Sequence, residues 1–251
     1  VENNLGKEMM SQSKFYMGYS RWDDDKNRYE TWDESVERVM NMHREKYKEV
    51  MTPELEELIS FAEKAYKEKL VLGAQRALQF GGDQIFHHNA RLYNCSSSYV
   101  DRPSFFQEAM YLLLAGCGVG FSVQKHHIAK LPHIKHRYEK KSKVYTVEDS
   151  IEGWAKAFGV LLSSYFIGGG TFPEYEGCQV HFDFHKIRPK GAFISGGFKA
   201  PGPDGLRHAL QKCEELLEQE VGEAKEPVPM RPITAYDFVM HMSDAVLSGG
   251  K

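Results

Sequence analysis

Two periodicities alternate along this chain of 251 residues, and the alternation limits what it can fold into. Apolar residues recur at three- and four-residue steps through Val36, Val39, Met40 and Met42, and again through Leu55, Leu58, Ile59, Ala62 and Ala65, the spacing of one helix face. Over residues 179–187 the step becomes two. Val180, Phe182 and Phe184 alternate with His181, Asp183 and His185, as on a strand. Helices interleaved with short strands define an α/β class.

Local signals set the boundaries. Thr31-Trp32-Asp33-Glu34 fits a capping box, in which the Thr hydroxyl and Glu carboxylate satisfy orphan N–H groups at a helix start. Thr52-Pro53-Glu54 places a capping hydroxyl before a proline at the first helical position. Residues 31–68 are therefore expected to form a helical hairpin. Ser104-Phe105-Phe106-Gln107 has the pattern of a further box, opening an apolar helix that ends at Gly116-Cys117-Gly118-Val119-Gly120. Ser150 caps a helix with Ile151, Trp154, Phe158, Leu161 and Leu162 on one face, closed by Gly168-Gly169-Gly170. Residues 90–99 are expected to be extended, 144–147 a short edge strand, and 204–219 and 234–248 helices. Residues 1–14 have the polarity of a flexible terminus, 15–70 form a helical region, and 71–251 form the α/β body.

Composition excludes several classes. Hydrophobic residues make up 41%, enough for a sizeable core. The net charge of −3 argues against a surface that coats nucleic acid, so no direct nucleic-acid binding is expected. No apolar run approaches the ~18 residues of a membrane span, and the first residues lack a signal-peptide core. The four cysteines, Cys95, Cys117, Cys178 and Cys213, form no C-x-x-C pair. Reduced thiols in a cytoplasmic protein are the expectation. The doublets His87-His88 and His126-His127 are poor chelates on a strand, and no metal site is expected.

Three segments have the residue types of a chemical site. Tyr93-Asn94-Cys95-Ser96-Ser97-Ser98-Tyr99 surrounds a thiol with small polar groups. Gly116-Cys117-Gly118-Val119-Gly120 follows a helix, the reverse of the strand-glycine-helix order of a dinucleotide fingerprint. Its glycines suit close approach to a ligand or another chain. The third segment, residues 188–203, is rich in Gly and Pro and carries Arg188, Lys190 and Lys199. Long ordered loops of this kind are often functional. Taken singly, each has a bland reading: a buried strand cysteine, a packing glycine, a surface loop.

In this order, however, the segments resemble the catalytic subunit of ribonucleotide reductases, most nearly the short monomeric-type adenosylcobalamin-dependent (class II) enzymes and related phage proteins. The marks run from Ser20-Arg21-Trp22 through Arg76-Ala77-Leu78, Gly81-Gly82, Tyr93-Asn94-Cys95, Ala115-Gly116-Cys117-Gly118-Val119-Gly120, Asp149-Ser150-Ile151-Glu152-Gly153-Trp154, Arg188-Pro189-Lys190-Gly191 and Gly196-Gly197 to Ser248-Gly249-Gly250. The resemblance implies a helical N-terminal region followed by the first half of a ten-stranded α/β barrel over residues 71–251. It implies radical-based replacement of the ribose 2′-hydroxyl by hydrogen, giving deoxyribonucleotides for DNA synthesis. Cys95 matches the first cysteine of the redox pair. Asn94, Ser96, Gly116, Cys117, Gly118 and Lys199 would line the substrate. Asp101, Lys125, His126, Ser195, Gly196, Gly197 and Phe198 would serve a deoxynucleoside triphosphate effector, the loop near 196–203 carrying its message to the substrate base.

The radical source implied is adenosylcobalamin, with a separate metal-containing small subunit as the alternative. A dithiol reductant such as thioredoxin is an implied partner. The helices near 101–115 and 150–166 form the dimer face in dimeric relatives, so both a homodimer and a monomer are open. The family's radical cysteine and the partner of its redox pair would lie beyond residue 251. The chain is therefore expected to need a complementary half, in the same polypeptide or a separate one. A catalytically inactive nucleotide-binding module is the alternative, and the missing Pro-Ser/Thr before Arg76 departs from the family pattern. No ATP-cone module is evident.

Overall fold

The computed structural model describes residues 5–194 and 198–247; of Ile194, Phe198 and Leu247 it describes the backbone alone. The chain divides into two compact units between Asn94 and Cys95, further along than the boundary expected near residue 70.

The first unit is helical. Residues 5–14, expected to be flexible, lie in α1 (Leu5–Gly18), none of whose residues is buried. Its Phe15 ring meets Trp32 edge-on at 5.6 Å, a contact that favours order there. A two-stranded ribbon follows, β1 (Trp22–Asp23) and β2 (Arg28–Tyr29). The hairpin α2 (Trp32–Lys46) and α3 (Pro53–Lys67) forms as the spacing predicts. Both halves of the Thr31–Glu34 capping box are present, and Thr52 accepts from the Leu55 amide. Two short helices, α4 (Gln75–Phe80) and α5 (Asp83–His87), complete the unit. Val36, Val39, Ile59, Leu78 and Ile85 form its core. Glu30 ties Arg38 and Ser35 together, and Arg38 also donates to the Leu78 carbonyl at 2.8 Å.

The second unit is α/β. Its elements are β3 (Cys95–Tyr99), α6 (Phe105–Leu114), β4 (Gly118–Ser122), the single turn α7 (Lys125–Ile128), β5 (Ser142–Thr146), α8 (Ile151–Tyr165), β6 (Gln179–Asp183), β7 (Phe193–Ile194), β8 (Phe198–Lys199), α9 (Asp204–Val221) and α10 (Pro232–Leu247). The strands pair two by two: β3 with β4 and β5 with β6 in parallel, β7 with β8 antiparallel. Three boundaries differ from expectation. Residues Asn89–Leu92 form a 3₁₀ turn, so the extended segment begins only at Cys95. The period-2 strand stops at Asp183. Ser104 makes no capping bond, because its backbone is already helical and its hydroxyl donates to Glu108 instead.

Helix α8 is the axis of this unit, with every residue from Ala157 to Tyr165 buried. Gly159 lets α6 lie close, since a Cβ there would sit 2.4 Å from the Gln107 side chain. Phe106 and Phe158 both meet Phe238 of α10 edge-on, at 5.1 and 6.3 Å. At the end of α8, Tyr165 donates to Glu218 at 2.5 Å while Arg137 stacks on its ring and pairs with Glu214 and Glu218. Phe238→Ala should lower unfolding free energy by about 3–5 kcal/mol, the cost of an aromatic-sized cavity, measured by urea denaturation. A loss under ~1 kcal/mol would contradict this account of the core.

Candidate active site

The parallel pairing of β3 and β4 puts Cys95 opposite Gly118, Ser97 opposite Gly120 and Tyr99 opposite Ser122. Side chains alternate in a strand, so Cys95, Ser97 and Tyr99 share one face, which is exposed, while Ser96 and Ser98 are half-buried on the other. Gly118 and Gly120 are exposed on the same face. The result is a thiol at the edge of a strip without side chains. A Cβ on Gly120 would come no closer than 3.6 Å to the Ser96 carbonyl, an ordinary contact. Packing within the chain therefore does not demand a glycine at 120; the bare surface is available to a ligand. Gly116 turns the chain from α6 into β4 with φ +87°, a conformation that favours glycine.

The other expected substrate residues have the following places. Asn94 belongs to the first unit, where its Oδ1 accepts from Arg76 at 3.3 Å. This brings two separate sequence motifs into contact. The Ser96 hydroxyl donates to the Gly118 carbonyl at 3.3 Å. The Cys117 thiol is buried, so at this position the backbone is what faces the strip. Cys178 and Cys213 are buried too, and burial pushes the Cys213 thiol well above its ordinary pKa. Cys95 is the exposed cysteine of the four. Lys199 is exposed on β8, opposite Phe193. Ser195, Gly196 and Gly197 lie outside the described residues, as does the side chain of Phe198.

A second cluster lies where β3 and β4 end, about 13 Å along the strand from Cys95 at ~3.3 Å per residue. Asp101 accepts from Arg102 at 2.8 Å and has Lys130 at 3.7 Å. The Arg102 guanidinium holds the Asp101 carboxyl below the usual carboxylate range. Arg102 also donates to Ser98 at 3.1 Å and to Glu108 on α6. Lys125 and His126 are exposed on α7. Sequence reasoning missed His127, whose ring lies 4.6 Å from Tyr99 and whose Nδ1 is 3.1 Å from the Ser122 hydroxyl. The surrounding positions gave a signal only in retrospect: Tyr99 and Ser122 are partners in the strand register. Burial pushes the His127 imidazole down, with His126 reinforcing the shift.

Among the described residues, no group of three or more His, Cys, Asp or Glu could hold a metal ion, and no helix is long and apolar enough to cross a membrane. A shallow groove between α6 and α8 is lined by Gln107, Tyr111, Leu112, Glu152, Ala155 and Lys156.

This fold is that of class II ribonucleotide reductases: the chain superposes on the crystal structure of a B12-dependent (class II) enzyme with a TM-score of 0.79, at 24% identity, covering 94% of this chain and 40% of that one. Sequence comparison agrees and names its relatives. The adenosylcobalamin-dependent ribonucleoside-triphosphate reductase of Lactobacillus leichmannii is 27% identical over 289 residues, 92% of this chain and 38% of the relative. The putative enzyme of Mycobacterium phage D29 is 27% identical over 231 residues, 79% of this chain and 32% of the relative. No protein-family model matches the chain. The resemblance read from the motifs is thus shared by sequence and fold, and the chain spans well under half the length of these relatives.

The His127 geometry has a measurable consequence. Its NMR titration midpoint should fall below the 6.5 of an unperturbed imidazole. The folded chain resists protonation that the unfolded chain accepts. The contribution to stability is therefore complete above the unfolded pKa and is lost as pH falls through the folded one. A midpoint above 6.5 would show that Tyr99 and Ser122 do not shield the ring.

Proposed function

We propose that this chain is the N-terminal part of a ribonucleotide reductase catalytic subunit, reducing ribonucleotides to 2′-deoxyribonucleotides. The observation that carries the reading is the exposed Cys95 thiol in register with Gly118, two residue pairs from the Ser97–Gly120 pair on the same face. A thiol suits this chemistry because it gives a proton and a hydrogen-atom equivalent and stores the oxidation reversibly as a disulfide. In the net reaction a ribonucleotide and two thiols become a deoxyribonucleotide, water and a disulfide. Cys95 supplies one of those thiols, and its partner belongs to the complementary part of the protein. The bare strip at Gly118 and Gly120 gives a sugar ring room beside the sulfur.

The cofactor of the relatives is adenosylcobalamin, which when bound supplies the radical that starts the reaction. No set of described residues is assigned to hold the corrin, and the radical cysteine on which it would act is, by the resemblance, not among them; Cys95 belongs to the reducing pair. The chain's own residues present the thiol, leave space for ribose and hold a carboxylate at the far end of the same strand. Asp101, kept ionised by Arg102, suits the hydroxyls of an effector ribose, and Lys125 with His126 suits its phosphates. Substrate choice is then an allosteric coupling between effector and substrate. A dithiol reductant is the partner that returns such a thiol to its reduced form, and a reducing, cytoplasmic setting suits an exposed Cys95. The α6–α8 groove suits the homodimer contact implied by dimeric relatives.

In the complete protein, Cys95→Ala should abolish turnover with a dithiol reductant while nucleotide affinity in titration calorimetry stays within about threefold. Undiminished turnover would end the reading. Binding of deoxynucleoside triphosphates with no turnover in the wild-type complete protein would favour the inactive nucleotide-binding module. Gly120→Ala offers a second check. Its new Cβ meets nothing closer than 3.6 Å, so denaturation should change by under ~1 kcal/mol. Substrate KM should rise at least about tenfold, the ~1.4 kcal/mol cost of a methyl group pressed against a bound sugar. An unchanged KM would show that the strip does not face the substrate.

A further inference from the structure

Two motifs singled out in the sequence, Asp149-Ser150-Ile151-Glu152-Gly153-Trp154 and Arg188-Pro189-Lys190-Gly191, are given no role by the thiol chemistry, and the fold brings them together. Strands β5 and β6 run parallel in register, so their exits emerge side by side, one leading to α8 and the other to the β7–β8 hairpin. At these exits two successive acids meet two cations. Glu148 pairs with Lys186 at 2.6 Å, and Asp149 pairs with Arg188. Between the cations Ile187 is buried in the core, so the segment is pinned on both its sides.

Two further residues of the first motif, Ser150 and Gly153, have a place in this clamp. Ser150 accepts from the Gly153 amide at 3.0 Å and starts α8. A Cβ on Gly153 would lie 2.3 Å from the Glu148 carbonyl. Only a glycine lets the acidic turn fold against the first turn of α8, where both carboxylates face the cations. On the other side, Gly202 (φ +75°) closes the foot of the hairpin: a Cβ there would meet the Lys190 amide nitrogen at 2.9 Å. The Gly191 amide donates to the Ala200 carbonyl at 2.8 Å, and Ala200 in turn donates to Ala192 at 2.7 Å. The foot is therefore held by its own backbone bonds and tied to the start of α8 through the Asp149 and Glu148 carboxylates, beside the buried Ile187.

From this juxtaposition we infer that Asp149 and Arg188, seconded by Glu148 and Lys186, are positioning residues that fix the β7–β8 hairpin, and with it Lys199, relative to α8, and so set which ribonucleotide base the enzyme accepts. The role in base choice rests on the reductase reading above; the clamp itself does not. The pairs are partly exposed and individually weak, so removing one should loosen the foot of the hairpin without unfolding α8.

The test uses the complete protein and two readouts. In Asp149→Asn, hydrogen exchange at the Gly191 and Ala200 amides should quicken about fivefold, and in Glu148→Gln/Asp149→Asn more than tenfold, with the amides in the middle of α8 unchanged. The ratio of kcat/KM for a purine over a pyrimidine ribonucleoside triphosphate, each with its matched deoxynucleotide effector, should shift at least about fivefold in Asp149→Asn. The charge-reversed pair Asp149→Arg/Arg188→Asp should recover most of that shift. Unchanged exchange at Gly191 and Ala200 would overturn the clamp. Quickened exchange with an unaltered ratio, in an enzyme whose wild type discriminates, would overturn its role in base choice. A wild type that shows no effector-dependent preference would instead sink the reductase reading of this loop, while the exchange result would still decide the clamp.

Discussion

The parallel register of β3 and β4 is the constraint from which the candidate site follows. Alternation along each strand means that pairing Cys95 with Gly118 also decides which side Ser97, Tyr99, Gly120 and Ser122 occupy. A slip of β3 by one residue would turn the thiol inward and bring Ser96 to the surface. The register is held by what lies behind it: Phe121 packs against Phe105, and α6 seats on α8 through the Gly159 gap. Burial in the helical core thus maintains an exposed strip.

Polar groups in this unit divide between structure and chemistry by their surroundings. Arg137 is enclosed, stacked on Tyr165 and paired with two glutamates, and pins α9 to α8. Burial pushes the Tyr165 hydroxyl far above its ordinary range, so it serves as a fixed donor to Glu218. Arg102 is more open and reaches Asp101, Ser98 and Glu108 together, joining the end of β3 to the first turns of α6. The first network supports the core; the second leaves its carboxylate accessible to a ligand.

The sequence made legible what depends on short-range signals. Thr31 and Thr52 cap their helices because both bonds close within three residues. The helix after Ser150 and the strand from Gln179 follow from uninterrupted periodicity. Ser104 failed because its own backbone is already helical, which turns its hydroxyl away from capping and toward Glu108, and a box pattern carries no information about that conformation. Cys95 could be chosen by its polar neighbours, but its exposure depends on a pairing with residues more than twenty positions on. His127 was invisible for the same reason: its contacts with Tyr99 and Ser122 exist only once β3 and β4 lie side by side. The α/β class was readable, and the fold matches a class II reductase. The strands described here occur as separate pairs, so the half-barrel belongs to the resemblance rather than to these residues.

One strand thus carries the thiol at its first residue and leads within two residues of its last to a clasped carboxylate. Both are attached to the same hydrogen-bonded ribbon, in which a slip by a single residue would invert the faces of one strand. The spacing between sulfur and carboxylate is therefore fixed by one short length of backbone rather than by packing between distant elements.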